Sequence, residues 1–397
     1  GSRTSHSAIM ARSLGIPAIV ALPGICGQLT TGDRVLLDGY SGKLIANPSE
    51  ATRYEYGQIE RHKVEVAHQL EAIRGTPSTT KDGHHIILSA NIELPSELDA
   101  VIASGAEGIG LFRTEFLFLN KSTAPSEDEQ YEAYKMVAER CGSHGVIIRT
   151  LDVGGDKLMH LPDQPTEDNP FLGRRAIRLC LDEPALFKSQ LRAILRAAAH
   201  GKVRVMFPMV TQLEEVHWAK SLLEECKGEL AAAGIPYDPL LEVGTMIEVP
   251  SAALIADQIA REVQFFSVGT NDLVQYTLAV DRGNEHITNL YQPTHPAVLR
   301  LLAMAAKAAH ENGIWIGVCG EMASELHLTP LLIGFGMDEL SVVTPAVPRI
   351  KKAVQSLNAK ECGEFACQAV AMNDPQKIDR ACRDYARKHY AELLDTV

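Results

Sequence analysis

Residues able to bind anions, hold a metal or move a proton recur where strand-like runs give way to loops. Arg113 and Glu115 follow the run Gly108–Phe112, and Arg149 closes the run Val146–Thr150 with Asp152 just beyond it. Glu248 ends Glu242–Glu248, Asn271 and Asp272 follow Phe265–Gly269, and Cys319 ends Trp315–Cys319 with Glu321 just beyond it. Arg175 and Arg282 lie in nearby loops. Arginines offer planar forks for carboxylate and phosphate oxygens and stay charged. Glu248 and Asp272 offer hard oxygens for Mg²⁺, which takes one or two protein carboxylates plus substrate oxygens. Arginines beside such a metal site suit a small phosphorylated carboxylate. A thiol at Cys319 can give up a proton if it is protonated at working pH; a buried core cysteine is the competing reading.

A second centre is His6, at the first turn of a short helical stretch that follows Thr4-Ser5 and stops at Gly15 and Pro17. Unpaired N–H groups and the helix dipole make that end a place for an anion. A neutral imidazole there can accept a phosphoryl group, although a histidine near a cap is more often structural. The stretch Asp152-Val153-Gly154-Gly155-Asp156-Lys157 can cradle phosphate or simply form a tight turn.

The elements that must position these groups are legible from periodicity. A chain of 397 residues allows two or three domains. Its 46% hydrophobic and 22% charged residues describe an ordinary globular chain, and no apolar run is long enough for a membrane helix. With 38 Lys plus Arg against 50 Asp plus Glu the net charge is −12, unfavourable for nucleic-acid binding, so any anion site must be a local arginine cluster. The eight cysteines show neither CxxC nor zinc-ligand spacing, which together with the lack of a secretory signal suggests a reduced, cytoplasmic protein.

Residues 1–47 hold the short helix and then strand-like runs at 18–22, 34–38 and 43–45. Residues 48–77 read as one linker helix, with Tyr56, Ile59, Lys63, Val66, Leu70 and Ile73 on one face. Residues 78–397 alternate helical patterns with eight strand candidates, adding His85–Asn91, Val203–Pro208 and Glu339–Val343 to those above. Most are continuous apolar runs, as in parallel strands covered on both faces. Eight such units predict a (β/α)8 TIM-type barrel of α/β class, with a doubly wound sheet as the alternative, and barrel chemistry sits at the C-terminal ends of the strands.

The stretch Arg3-Thr4-Ser5-His6-Ser7-Ala8-Ile9-Met10-Ala11-Arg12 resembles the phosphohistidine signature of the phosphoenolpyruvate-utilising enzymes. The resemblance continues through Gly108–Phe116, Arg149–Lys157, Asn169–Gly173, Phe265–Leu273, Gln275-Tyr276, Asp281–Asn284 and Val318–Glu321, and so runs through essentially the whole chain. It implies that His6 is phosphorylated. It further implies that Arg113, Arg149 and Arg282 hold the phosphate and carboxylate of phosphoenolpyruvate, with Arg175 and Asn271 assisting. Glu248 and Asp272 would bind Mg²⁺, and Cys319 would protonate the enolate carbon as pyruvate forms.

The barrel segments resemble in particular the branch that passes the phosphoryl group to the carrier protein HPr, which implies a homodimeric barrel. Dikinases and phosphoenolpyruvate synthases, and a nitrogen-regulatory relative, share much of the pattern. Family members carry further residues ahead of the histidine, including the domain that docks HPr. The resemblance therefore implies that residues 1–47 are part of a swivelling phosphohistidine domain, 48–77 a linker and 78–397 the substrate-binding and dimerisation domain. Ser2 stands where the family has glycine.

Overall fold

The structure is a computed structural model that describes residues 18–20, 22–39, 42–118, 123–154 and 167–394. The chain divides into two compact units, one taking in the described residues of Gly1–Gln69 and Glu392–Val397, the other Leu70–Ala391. The helix expected at His6–Leu14 lies outside the described residues. In the first unit β1 (Val35–Asp38) and β2 (Lys43–Ala46) form an antiparallel hairpin. The run at 18–22 is not a strand where it is described. A strand requires a partner ladder for its backbone groups, and β1 and β2 pair only with each other. A helix covers Glu50–Ala72.

In the second unit eight strands close into a barrel in the order β10-β3-β4-β5-β6-β7-β8-β9, every pair parallel. They are β3 (Ile87–Ile92), β4 (Gly108–Phe112), β5 (Gly145–Arg149), β6 (Val203–Phe207), β7 (Glu242–Ile247), β8 (Phe265–Val268), β9 (Trp315–Val318) and β10 (Glu339–Val343). Each expected strand is present within two residues of its expected bounds, and the closed order removes the doubly wound alternative.

The apolar runs form strands because both faces are covered: every residue of β4, β5, β6 and β8 is buried. The outer layer is amphipathic. In the helix Pro184–Ala198, Phe187, Leu191, Ile194, Leu195 and Ala198 are buried, and the proline at its first position suits a helix start. Helix Glu127–Arg140 begins with a reciprocal cap, Ser126 Oγ accepting from the Glu129 N–H and Glu129 accepting from the Ser126 N–H.

Inside the barrel, Leu111, Ile147, Met206, Met246, Phe265 and Cys319 form one apolar layer, with Trp315 packed against it. Each large side chain so buried contributes about 1.5–3 kcal/mol relative to exposure. Polar groups gather at both ends of the barrel, the mouth at the C-terminal ends of the strands and the foot at their N-terminal ends.

Candidate active site

The mouth opens into a cleft of about 210 Å³. Eight of the nine residues expected to act line it: Arg113, Arg149, Arg175, Glu248, Asn271, Asp272, Arg282 and Cys319. The ninth, His6, lies outside the described residues. Asp152, Glu93 and Glu321 complete a lining of four arginines and five carboxylates. Such a balance repels a multiply charged anion unless a cation accompanies it.

Arg149 ends β5 and points inward beneath the cleft. It pairs with Glu115 and, at 3.1 Å, with Asp152. Burial works against its charge, but Glu115 and Asp152 outweigh that and raise its pKa. Arg175 is the hub of the network. Its Nε and one terminal nitrogen donate to the two Asp152 oxygens at 2.7 and 2.9 Å. Its terminal nitrogens also reach both Asp272 oxygens at 2.9 and 3.3 Å, and the Tyr276 hydroxyl at 3.2 Å. Burial again opposes the charge, and Asp152 and Asp272 overcome it.

The two remaining arginines are looser. Arg113 is about a third exposed and pairs with Glu93 at 2.6 Å. Among the described residues the Arg282 guanidinium has no carboxylate in ion-pair range, and only its backbone N–H is held, by Gln275 at 3.2 Å. These two can therefore turn to an incoming anion at the smallest cost. Asn271 and Glu321 hold each other, the amide donating to Glu321 at 3.0 Å and the Glu321 N–H donating to the amide oxygen at 2.8 Å.

Glu248 is buried just beyond β7. The Met209 N–H donates to its Oε1 at 2.6 Å. Its Oε2 lies over Gly269, where a Cβ would come within 2.6 Å. Burial raises its pKa well above the usual carboxylate range, with the Asp272 and Asp152 charges pushing the same way. A divalent cation between Glu248 and Asp272 would relieve that repulsion, and both supply hard oxygens, so the residues present fit Mg²⁺. Among the described residues no three His, Cys, Asp or Glu side chains gather as a complete cage. Mg²⁺ commonly completes such a carboxylate pair with waters and substrate oxygens.

Cys319 is 2% exposed, its thiol 3.7 Å from the Val268 carbonyl. Burial pushes its pKa up to about 11, although Ser267 and Arg149 pull it partly back. The thiol is therefore protonated at neutral pH and able to donate.

Three participants carried no side-chain signal in the sequence. Met209 acts through its backbone N–H and adopts φ 56° to do so. Ala176, with φ 52°, sits beside Arg175. Such strain in non-glycine residues persists where surrounding structure enforces it, often at functional sites. Glu93 precedes Arg113 by 20 positions and meets it only because β3 and β4 are neighbours.

The family pattern for the PEP-binding domain of PEP-utilising enzymes matches residues 67–359, and that for their mobile domain matches residues 1–42. The chain belongs to the PEP-utilising enzymes. It is similar to the phosphoenolpyruvate-protein phosphotransferase of Staphylococcus carnosus (strain TM300), with 46% identity over 98% of this chain and 68% of that protein. The protein of the same name from Bacillus subtilis (strain 168) is 46% identical over 95% of this chain and 66% of its own length. The chain thus spans about two thirds of the relatives it matches. Among solved structures, a citrate lyase from Burkholderia xenovorans LB400 aligns at 15% identity and a TM-score of 0.38, over 67% of this chain and 83% of that one.

Proposed function

We propose that this chain carries the phosphoenolpyruvate half-reaction of a phosphoenolpyruvate–protein phosphotransferase: the phosphoryl group passes to His6, pyruvate is released, and HPr is the onward acceptor. The observation that carries this reading is the convergence, on one cleft, of four arginines, the Glu248–Asp272 carboxylate pair and a thiol that is protonated at neutral pH. The names of the relatives favour a protein phosphotransferase over the dikinase alternative.

Arg282 and Arg113 are the arginines least committed to internal partners, so they receive the incoming anion first. Arg149 and Arg175, locked by Asp152, hold fixed positive charge beneath it. Fixed charge of this kind stabilises a transferring phosphoryl group without reorganisation during the reaction. Glu248 and Asp272 would hold Mg²⁺, which when bound neutralises phosphoryl and carboxylate oxygens. Glu248 must lose its proton to do this, so substrate binding releases protons. Asn271 orients the ligand. Once the phosphoryl group has left, Cys319 donates its proton to the enolate carbon and pyruvate forms.

In this reading residues 1–47 belong to a phosphohistidine domain, 48–77 link it, and 78–397 form the substrate-binding and homodimerisation domain of a cytoplasmic enzyme. No helix among the described residues is long and apolar enough to cross a membrane. Calorimetric titration of phosphoenolpyruvate with and without Mg²⁺ tests the proposal. Binding of one molecule per chain, only with Mg²⁺, is expected, and no heat in either condition overturns it.

A further inference from the structure

At the start of β10, towards the foot of the barrel, sits an acid that the reaction above does not use. Glu339 begins β10, is 1% exposed and points into the barrel between two strand glycines. A Cβ at Gly110 would lie 2.9 Å from its Oε1, and one at Gly317 would lie 2.9 Å from its Oε2. The carboxyl therefore occupies space that any other residue would fill. Oε1 accepts from Ser89 Oγ at 2.6 Å. Oε2 is buried without a hydrogen-bond partner among the described residues, a costly state for a polar atom.

The unpartnered oxygen lies against Gly317. Gly317 pairs in register with Ser267 on β8. Ser267 is buried, and its hydroxyl also lacks a full hydrogen bond, though it interacts with the Cys319 thiol and eases its ionisation. Cys319 stands two residues beyond Gly317 and so faces the same side of the strand line. Glu339 and Ser267 thus flank the bare Gly317 in register, and Cys319 stands beyond it on the same strand line. On the solvent side, His144 Nε2 lies 3.8 Å from Glu339 Oε1, and its side chain is 16% exposed.

We propose that Glu339 is the proton reservoir that restores the Cys319 thiol after each turnover, handing its proton up the inner wall by way of the Ser267 hydroxyl. This rests on the reaction proposed above. The Glu339 O–H bond breaks as its proton passes to Ser267 Oγ, directly or across one interior water. The Ser267 O–H bond breaks as an S–H bond forms on the Cys319 thiolate. The Glu339 carboxylate then regains a proton from solvent past His144. The turnover consumes one solvent proton, the one that ends on the methyl carbon of pyruvate.

Acidity sets the direction. Burial lifts Glu339 to about 7, with Ser89 and the Arg204 charge opposing and Glu107 assisting. A thiolate whose acid titrates near 11 takes a proton from such a carboxyl spontaneously. His144 is held down to about 4 by burial and by Arg204, so it stays neutral and can pass a proton without holding one. During the reaction the product covers the mouth side of the thiol, and the foot offers a path that does not wait for product release.

The test is exchange of the pyruvate methyl hydrogens with D2O, followed by NMR on the full chain with Mg²⁺. Wild type should exchange and Cys319→Ala should not. Glu339→Gln and Ser267→Ala should each slow exchange at least tenfold while phosphoenolpyruvate affinity stays within threefold. The wild-type rate should rise as pH rises through about 7, because the thiol must hand its proton to ionised Glu339 before it can take one from the methyl group, and that inflection should vanish in Glu339→Gln. A purely structural role would lower the rate equally at every pH. Wild-type exchange with an unchanged pH profile in Glu339→Gln overturns the relay. Should that variant not fold, a wild-type rate in Ser267→Ala overturns it instead. A wild-type chain that neither exchanges pyruvate nor binds phosphoenolpyruvate overturns the underlying reaction, and the relay with it.

Discussion

The mouth and the foot of the same barrel treat buried charge in opposite ways. At the mouth, Arg149 and Arg175 share Asp152, and Arg175 also holds Asp272, so each charge has several partners. At the foot, Glu339 has no cation within hydrogen-bonding distance among the described residues and is accommodated by glycines and one serine. A network with redundant partners can release one group to a ligand or metal without stranding a charge. A lone acid in a tight cradle avoids the penalty by staying neutral. The mouth is thus built to bind ions, and the foot to hold a proton.

The sharpest way to break this contrast is to remove one charge at each end. Arg149→Ala takes the guanidinium away from buried Glu115 and leaves Asp152 paired with Arg175, and should lower the unfolding free energy by about 3–5 kcal/mol. Glu339→Gln, which removes no ion-pair partner, should cost less than about 1 kcal/mol at pH 7. Denaturant titration of the two variants decides it, and a larger loss in Glu339→Gln would reverse the assignment of roles.

Function should respond at the mouth alone when the thiol is removed. Cys319→Ala should slow pyruvate formation by about 10²–10⁴-fold, the range for loss of a general acid. Phosphoenolpyruvate affinity, measured by calorimetry, should stay within threefold. Wild-type turnover in that variant removes Cys319 from the chemistry.

Both ends should appear in the pH dependence of metal-free protein. Glu248 and Glu339 have native pKa values above their unfolded ones, so the native state binds more protons. Their contributions are complete below about 4.5 and are lost as pH rises through the native pKa, which for Glu339 is about 7. Thermal melts in chelator should show stability falling over that window, by roughly 3 kcal/mol from Glu339. Glu339→Gln and Glu248→Gln should each flatten part of the slope, and added Mg²⁺ should offset only the Glu248 part. A slope untouched by either variant would show that neither acid is held neutral.

Gly317→Ala tests the glycine cradle at the foot directly. The added Cβ meets the Glu339 carboxyl and should cost about 1–3 kcal/mol. Phosphoenolpyruvate affinity should not change, because neither Gly317 nor Glu339 lines the cleft. A fall in affinity would show that the two ends are coupled through the wall.

The barrel was readable because its strands are continuous apolar runs, and burial on both faces leaves little else for such runs to be. The site residues were readable because a barrel presents strand ends at one mouth, so Arg149, Glu248 and Cys319 could be placed together from position alone. The pairing among them was not. Arg175 lies in a loop 23 positions after Asp152 and 97 before Asp272, and its role as hub depends on how that loop folds back. Glu339 read as nothing more than the first residue of a strand.

By itself the sequence determined the alternation of strands and helices, the strand bounds to within two residues, and the set of chemical groups brought to the mouth. These follow from local periodicity and from the geometry any closed parallel barrel shares. Only the tertiary structure decided which carboxylate each arginine neutralises, that a backbone N–H at Met209 holds Glu248, and that glycines on two strands admit a buried acid. Those outcomes depend on distances between residues far apart in the chain, where a shift of about 1 Å separates a hydrogen bond from none.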